Sequence, residues 1–325
     1  MSGATPSPAG TPAAAPRYVA ERLNADFGLY LSAGAPLAQA QSEWQRIEIF
    51  ENPQFGRVMR IDDVFMTSER DEFFYHEPMV HLPAIAHPGV KRALVVGGGD
   101  GGAAEELLKL PGIERVVLAE LDGAVVEMAR QWLPGIHRGA LDDARLQLRL
   151  GDARAFLAET DERFDQIVLD LTDPFGPAVE LYTVEFYQSC RRALNPGGVL
   201  SLHLGSPIHL PETLTRIAAS VRAVFPVFRP YLQYVPLYGA LWCMGMASDT
   251  TDPARLSAGE VDARIAARGI GDLQLYNGAM HQALLAQPNF LRELLARPAR
   301  ALHTGDTLDE VRDPAELPPI RVMAG

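Results

Sequence analysis

The sequence predicts an α/β protein built on a doubly wound, mostly parallel sheet and preceded by a small antiparallel β domain. Three observations carry this. From Lys91 onward, short apolar runs alternate with helical stretches, and each run is followed within a few residues by a glycine or an acid. The stretch Ser42–Ser68 instead alternates apolar and polar residues around turn signals. One apolar run, Ala93-Leu94-Val95-Val96, opens directly into Gly97-Gly98-Gly99-Asp100-Gly101-Gly102, the strand–turn–helix context of a nucleotide-binding turn.

In chain order, residues 1–16 read as a disordered tail, 17–78 as an N-terminal β-strand domain and 79–325 as the α/β domain. The tail is a run of Ala, Pro, Gly, Ser and Thr that lacks the basic start and apolar core of a signal peptide. Trp44, Ile47, Ile49 and Phe50 precede a turn at Asn52-Pro53, and Val58 and Ile61 lead to a second at Asp62-Asp63. Strands are expected at Ala93–Val96, Val116–Ala119, Leu146–Leu150, Gln166–Asp170 and Val199–Leu204. The helices between them fall near Gly101–Leu110, Asp122–Leu133, Ala153–Glu159, Tyr182–Leu194 and Pro211–Phe225. Parallel strands need right-handed crossovers, which this alternation supplies. Val227–Val235 and Leu241–Ser248, separated by Pro236, Tyr238 and Gly239, predict an antiparallel pair closing one sheet edge.

Composition narrows the function. At 47% hydrophobic and 22% charged residues, the chain resembles an ordinary globular protein. No apolar run approaches the ~20 residues that span a bilayer, so no membrane association and a cytoplasmic location are expected. A net charge of −12 disfavours nucleic acid, because phosphate contacts depend on clustered Lys and Arg. It permits a cationic ligand. Cys190 and Cys243 have neither redox-pair nor zinc-site spacing and read as buried small hydrophobes.

Gly97, Gly99 and Gly102 satisfy G-x-G-x-x-G, and Glu120 ends the next strand. A carboxylate there can accept both hydroxyl hydrogens of a ribose, in NAD enzymes and in adenosyl-sulfonium enzymes alike. Asp100 separates the two. It sits where a dinucleotide would bring its pyrophosphate and a methyltransferase its substrate's carboxylate, and a fixed carboxylate repels both. A donor with an ammonium in that place would be attracted instead. Asp170-Leu171-Thr172-Asp173-Pro174 puts two more acids at a strand's carboxyl end, and Asp152 follows the third strand, placed for an adenine amino group. Five carboxylates on one rim are costly unless cations occupy the site. Mg²⁺ is a conceivable occupant, but no phosphate-binding basic residues accompany the acids.

These residues resemble those of the spermidine synthases, the polyamine aminopropyltransferases, over about Gln41 to Phe290. The likeness rests on Trp44-Gln45, on Glu69-Arg70-Asp71-Glu72-Phe73 with Tyr75-His76-Glu77, on Gly97–Gly102 with Asp100, and on Asp170 to Pro177. The resemblance implies a Rossmann-like, methyltransferase-type fold. It implies that Gln45, Glu120, Asp152, Ala153 and Pro177 hold the thioadenosine part of decarboxylated S-adenosylmethionine at the Gly97 and Gly99 turn. It further implies that Tyr75, His76, Asp100 and the segment Asp170, Leu171, Thr172 and Asp173 surround the amines, with Asp170 as proton acceptor. His81 and His87 keep ordinary structural readings, because nothing pairs them into a metal site. No metal or cofactor is implied, and the assembly is a homodimer or homotetramer.

The expected reaction moves the aminopropyl group onto putrescine, giving spermidine and 5′-methylthioadenosine. An alkyl amine, with a pKa near ~10, arrives protonated, and a carboxylate near ~4 is a poor match for stripping it. Asp170 is therefore expected to orient the amine and to take a proton once the new C–N bond acidifies it. Leu171 and Thr172 replace two serines usual in the family, Glu105 an arginine, and Gly239-Ala240-Leu241-Trp242 a Pro-Ser-Gly segment. Met66 stands in for a polar residue, which leaves Tyr238 and Trp242 to anchor the far end of the amine. Agmatine or a triamine remains open as acceptor. A dinucleotide-dependent oxidoreductase and a non-catalytic polyamine binder are the readings from other classes.

Overall fold

The computed structural model describes residues 17–24, 26–308 and 310, so the expected tail at 1–16 lies outside the described residues. The N-terminal part comprises β1 (Arg17–Arg22), β2 (Gly28–Ala33), β3 (Ala38–Gln41), β4 (Arg46–Asn52), β5 (Gly56–Ile61) and β6 (Val64–Ser68). β1 and β2 form a hairpin, and β3 to β6 a four-stranded antiparallel sheet in sequence order. Asp62 and Asp63 join β5 to β6 with φ of 48° and 68°. Two successive positive φ values are what a two-residue hairpin turn requires, and Asp tolerates them better than most residues. Val19, Phe50, Val58, Phe65 and Leu237 form a small core beneath these strands.

The chain then enters α1 (Phe73–Ala86), followed by β7 (Arg92–Gly97), α2 (Gly102–Leu108), β8 (Arg115–Glu120), α3 (Gly123–Trp132) and α4 (Pro134–His137). Next come β9 (Leu146–Leu150), α5 (Ala153–Glu159), β10 (Phe164–Asp170), α6 (Val184–Ala193), β11 (Leu194–Gly205) and α7 (Pro211–Val224). β12 (Val227–Val235), β13 (Ala240–Ser248), α8 (Ala258–Ala267), α9 (Gly278–Leu285) and α10 (Asn289–Leu295) complete it. The seven-stranded sheet has the order β12-β13-β11-β10-β7-β8-β9. β7 to β11 run parallel, while β13 and β12 are antiparallel additions at one edge, as the sequence predicts.

Successive residues of the central strands serve opposite cores. Ala93, Val95, Val116, Leu118 and Val168 join one cluster, and Leu94, Val96, Val117, Ala119, Ile167 and Leu169 the other. That is why these strands read as unbroken apolar runs: both faces of a parallel sheet are covered by helices. Each fully buried Val or Leu contributes roughly 1.5–3 kcal/mol. The chain proceeds from β7 through β8 to β9 and then returns to place β10 on the other side of β7. The strand order reverses between β7 and β10, and crevices outside the carboxyl ends of such strands are where ligands bind.

The elements that the sequence reading omits are β1 to β3, α1, α4 and α8 to α10. α1 is buried continuously from Tyr75 to Ile85 and contains Pro78 and Pro83, so it has no polar face and two apparent breakers. It runs across residues 78 and 79. The helix expected from Tyr182 starts later: a 3₁₀ segment occupies Gly176–Tyr182, and Thr183 caps α6 by accepting from the Phe186 amide. His81 Nε2 is paired with a buried carboxylate, 2.7 Å from Glu106 Oε2, while its Nδ1 is buried without a partner in the protein. His87 Nδ1 accepts from the Gly89 amide at 3.1 Å. Cys190 and Cys243 are buried free thiols, as expected.

Candidate active site

The turn after β7 is shaped by what presses against it. A Cβ on Gly97, whose φ is +75°, would collide with the carbonyl oxygen of Asp170, and the next amide, Gly98, donates to that same oxygen at 2.9 Å. A Cβ on Gly102 would collide with the His76 ring. Glycine at these two positions therefore lets β7, β10 and α1 converge, and the convergence brings distant residues together. Asp100 Oδ1 accepts from the Gly102 amide at 3.0 Å, which fixes its carboxylate at the mouth of α2.

From α1, His76 reaches into the crevice. Its Nε2 is 3.7 Å from Asp100 Oδ2 and 3.7 Å from Asp170 Oδ2, and one nitrogen or oxygen from each of the three residues lies within 4.8 Å of the others. Its Nδ1 is 2.9 Å from Glu72 Oε2, and Arg138 holds the other oxygen of Glu72 at 3.2 Å. Burial disfavours the charged imidazole, but the charge of Asp100, the contact with Asp170 and the bond to Glu72 outweigh it and raise its pKa well above the ordinary value. Burial pushes the Asp100 carboxyl up, with His76 opposing.

Asp170 ends β10, and its Oδ2 has no hydrogen-bond partner in the protein; neither has Asp173 Oδ1 three residues on. Burial raises the Asp173 carboxyl. Between the two, Leu171 and Thr172 present their carbonyls to other side chains. His203 Nε2 lies 3.0 Å from the Leu171 oxygen, and Tyr182 Oη donates to the Thr172 oxygen at 2.6 Å. Tyr75 lines the same region, its ring centroid 6.2 Å from that of Tyr238 and 6.5 Å from that of His203. Tyr238 Oη donates to the Met66 carbonyl at 2.8 Å, and its ring meets that of Trp242 at 4.9 Å.

The remaining predicted residues line the β8–β9 side. Glu120 ends β8, 8% exposed, with Oε1 accepting from the Asp122 amide at 2.9 Å; burial lifts its carboxyl to about 7. Gln45 is brought to this edge by Asp122, whose Oδ2 accepts from Gln45 Nε2 at 3.0 Å and from Ser42 Oγ at 2.7 Å. Ala153 opens α5 and is buried, whereas Asp152 caps that helix at its exposed end and pairs with Arg154 Nη2 at 3.0 Å. Burial raises the Asp152 carboxyl, but the Arg154 bonds prevail and hold it below its ordinary value. Pro177 is exposed in the 3₁₀ segment, and Gly99 lies beside the Glu120 carboxylate. Leu121 and Leu150, 43% and 61% exposed, offer apolar surface beside these polar groups.

Several contributors escape the sequence reading. Glu21 comes from β1, a strand not assigned; it is buried, its Oε2 accepts from the Phe65 amide at 2.7 Å, and burial pushes its carboxyl to about 8, with the Asp173 charge adding to the rise. The visible signal was its place two residues after Val19, on the inward face of an alternating segment. His203 hides inside an apolar strand, and Tyr182 and Asp122 carry no motif.

A doubly wound sheet whose switch-point crevice gathers Asp100 and Asp170 around His76 defines the class: a nucleotide-fold protein with an acidic site at its strand ends. Residues 72–256 match the spermine/spermidine synthase domain, and residues 19–69 the spermidine synthase tetramerisation domain. A polyamine aminopropyltransferase of Nitrosomonas europaea is 58% identical over 307 residues, covering 94% of this chain and 94% of that protein. One from a Ruegeria species is 38% identical and covers 84% and 96%. A crystal structure of spermidine synthase in complex with the transition state analogue AdoDATO superposes with a TM-score of 0.81 at 35% identity, over 86% of this chain and 96% of that one. The spermidine synthase of Thermotoga maritima gives 0.78 at 33%, with the same coverage. The chain belongs to the spermine/spermidine synthase family, whose members named here are polyamine aminopropyltransferases.

Proposed function

We propose that the protein transfers the aminopropyl group of decarboxylated S-adenosylmethionine to putrescine, forming spermidine and 5′-methylthioadenosine. The observation that carries this reading is the pair Asp100 and Asp170 against His76, with unpartnered buried oxygens on Asp170 and on Asp173 three residues on, at the crevice where the nucleotide turn ends. Unpartnered carboxylate oxygens in a dry site call for N–H donors, and an ammonium supplies three. Asp100 at the mouth of α2 favours a donor carrying an ammonium over one carrying a carboxylate.

On this reading Glu120 accepts from the ribose hydroxyls, and Gln45, Asp152, Ala153, Pro177, Gly97 and Gly99 complete the thioadenosine site. Tyr75, His76, Asp100, Leu171, Thr172 and Asp173 surround the amines. The sulfonium's neighbouring methylene is attacked in line by the amine nitrogen, and the C–S electron pair leaves with neutral 5′-methylthioadenosine. Asp170 orients the nitrogen and receives a proton as the C–N bond forms. Approach geometry carries much of the rate, and neither metal nor redox cofactor is needed.

Putrescine has a second ammonium, costly to bury unpaired. The Tyr238 hydroxyl is committed to the Met66 carbonyl, which supports Glu21 over Tyr238 as the polar anchor for that end. Glu21 also favours a short diamine over a monoamine. The match of residues 19–69 to a tetramerisation domain supports a homotetramer, or a homodimer as its half. No helix among the described residues is long and apolar enough to cross a membrane; a cytoplasmic setting is part of the proposal. Mass spectrometry of products from decarboxylated S-adenosylmethionine and a panel of amines tests the reading. Spermidine with equimolar 5′-methylthioadenosine is the expected result, and a higher kcat/KM for agmatine or a triamine would replace putrescine as the acceptor.

A further inference from the structure

Among the buried polar atoms of the described residues that lack a hydrogen-bond partner in the protein is, with the carboxylate oxygens of Asp170 and Asp173, Nδ1 of His203. This residue lies in β11 and is 2% exposed. Its other ring nitrogen, Nε2, is 3.0 Å from the Leu171 carbonyl oxygen and 2.8 Å from Tyr182 Oη. A carbonyl oxygen can only accept, and the Tyr182 hydroxyl gives its own hydrogen to Thr172. Nε2 must therefore carry a hydrogen, shared between two oxygens, which leaves Nδ1 bare in the neutral ring.

The ring packs against Tyr182 of the 3₁₀ segment, Tyr75 of α1 and Trp242 of β13, within reach of the charges of Asp170, which ends β10, and of Asp173 beyond it. Burial lowers its pKa from the ordinary value, with the charges of Asp173 and Asp170 opposing, so the nitrogen is vacant before substrate arrives. The reaction presents two proton problems. The acceptor must lose one proton to expose its lone pair, and the secondary ammonium formed by attack can lose another. A carboxylate near ~4 suits the second, more acidic species better than the first.

We propose that His203 is the base that takes the first proton from the acceptor ammonium, leaving Asp170 to receive the second. The proposal rests on the aminopropyl-transfer reading above. The N–H bond breaks toward Nδ1, its electron pair staying on the amine nitrogen. That pair forms the C–N bond while the C–S pair departs with sulfur, and the new secondary ammonium passes a proton to Asp170. Released product is protonated again at neutral pH, so one proton per turnover reaches solvent. The imidazolium formed transiently at His203 is stabilised by the carboxylates of Asp173 and Asp170.

His203→Gln keeps an N–H donor for the Leu171 carbonyl but has no basic nitrogen. Its kcat/KM for putrescine should fall about 10²–10⁴-fold, with melting temperature and 5′-methylthioadenosine binding retained as evidence of folding. With saturating donor and butylamine, which has no second charge for Glu21 to pair, kcat/KM of the unmodified enzyme should have an acid limb below the ordinary imidazole range, set by this ring. In the variant the limb should give way to a rise of about tenfold per pH unit towards the amine's own pKa near ~10. A folded variant that keeps the original limb, or stays within about twofold of the original kcat/KM, overturns the proposal. Independently of turnover, ¹⁵N spectra of histidine-labelled enzyme at pH 7 should show His203 with a bare Nδ1 and a protonated Nε2. The opposite tautomer or a charged ring also overturns it. Should the enzyme transfer nothing to any amine, the functional reading falls and takes the proposal with it, whereas a working enzyme with an unaltered variant profile defeats the proposal alone.

Discussion

His76 and Glu72 are one helical turn apart on α1, and the Nδ1 of the first lies 2.9 Å from a carboxylate oxygen of the second. This bond turns Nε2 toward Asp100 and Asp170, 3.7 Å from each. Arg138 braces Glu72 from behind, itself in a left-handed conformation with φ of 41°. His76 is thus held as a counter-ion between two acids, the pair that the proposed reading gives to the amines. Glu72→Gln should weaken this alignment and lower the pKa of His76. Because that pKa is raised in the folded protein, its stabilising contribution is complete below the unfolded value near ~6.5 and fades as pH rises through the folded value. The variant should lose stability to denaturant at pH 6 and show a smaller loss at high pH. Equal losses at both ends would leave the pair without an electrostatic role.

Asp170 is expected to carry chemistry because it combines an unpartnered oxygen with a place at the strand end. Asp170→Asn should lower kcat by roughly 10²-fold or more, while affinity for 5′-methylthioadenosine changes little. Near-normal turnover would remove it from the mechanism.

Glu120, lifted to about 7 by burial, should make donor-side binding depend on pH. Only the carboxylate accepts both ribose hydroxyls, so calorimetry should find 5′-methylthioadenosine bound more tightly as pH rises from 6 to 8. Glu120→Gln should weaken binding by about 1–3 kcal/mol at pH 8 and abolish that dependence. Asp100→Asn, in the same assay with substrates, should narrow the preference for decarboxylated over ordinary S-adenosylmethionine. Equal binding of both by the unmodified protein would refute the role given to Asp100.

What the sequence makes legible follows from physics that acts locally. β7, β8 and β10 are buried on both faces, so their apolar runs stand out, and the acids Glu120 and Asp170 stand out where those runs stop. α1 is invisible for the converse reason: it is buried all round, its polar residues His76, Glu77 and His81 included, and interrupted by Pro78 and Pro83, so no helical period survives. Its residues Tyr75 and His76 are recovered only through family resemblance. Glu21 and His203 are harder still. Each is a polar side chain on the inward face of a strand whose other inward residues, Val19 and Val199, join the core, so nothing in the local pattern separates it from a core position.

Glu21 supports the last prediction, which joins stability to specificity. Its carboxyl, raised to about 8, is protonated in the folded protein over a range where it is ionised in the unfolded chain. Between pH ~4.5 and 8 the folded state therefore binds the extra proton, and the ligand-free protein should lose up to about 1.4 kcal/mol of stability per pH unit from this group. Glu21→Gln should flatten that part of the urea-denaturation profile. Putrescine, by bringing an ammonium to the carboxylate, should steepen proton release on binding in the unmodified protein and not in the variant. The kinetic counterpart is selective. Loss of a far-end anchor should cut kcat/KM for putrescine by about 10–200-fold but leave a simple monoamine such as butylamine nearly unaffected, because the monoamine has no second charge to pair. Cadaverine, one methylene longer, and spermidine should remain slower than putrescine in the unmodified enzyme. A variant that loses putrescine and butylamine activity equally would show that Glu21 supports the fold of the hairpin, through its bond to the Phe65 amide, and does not read the substrate.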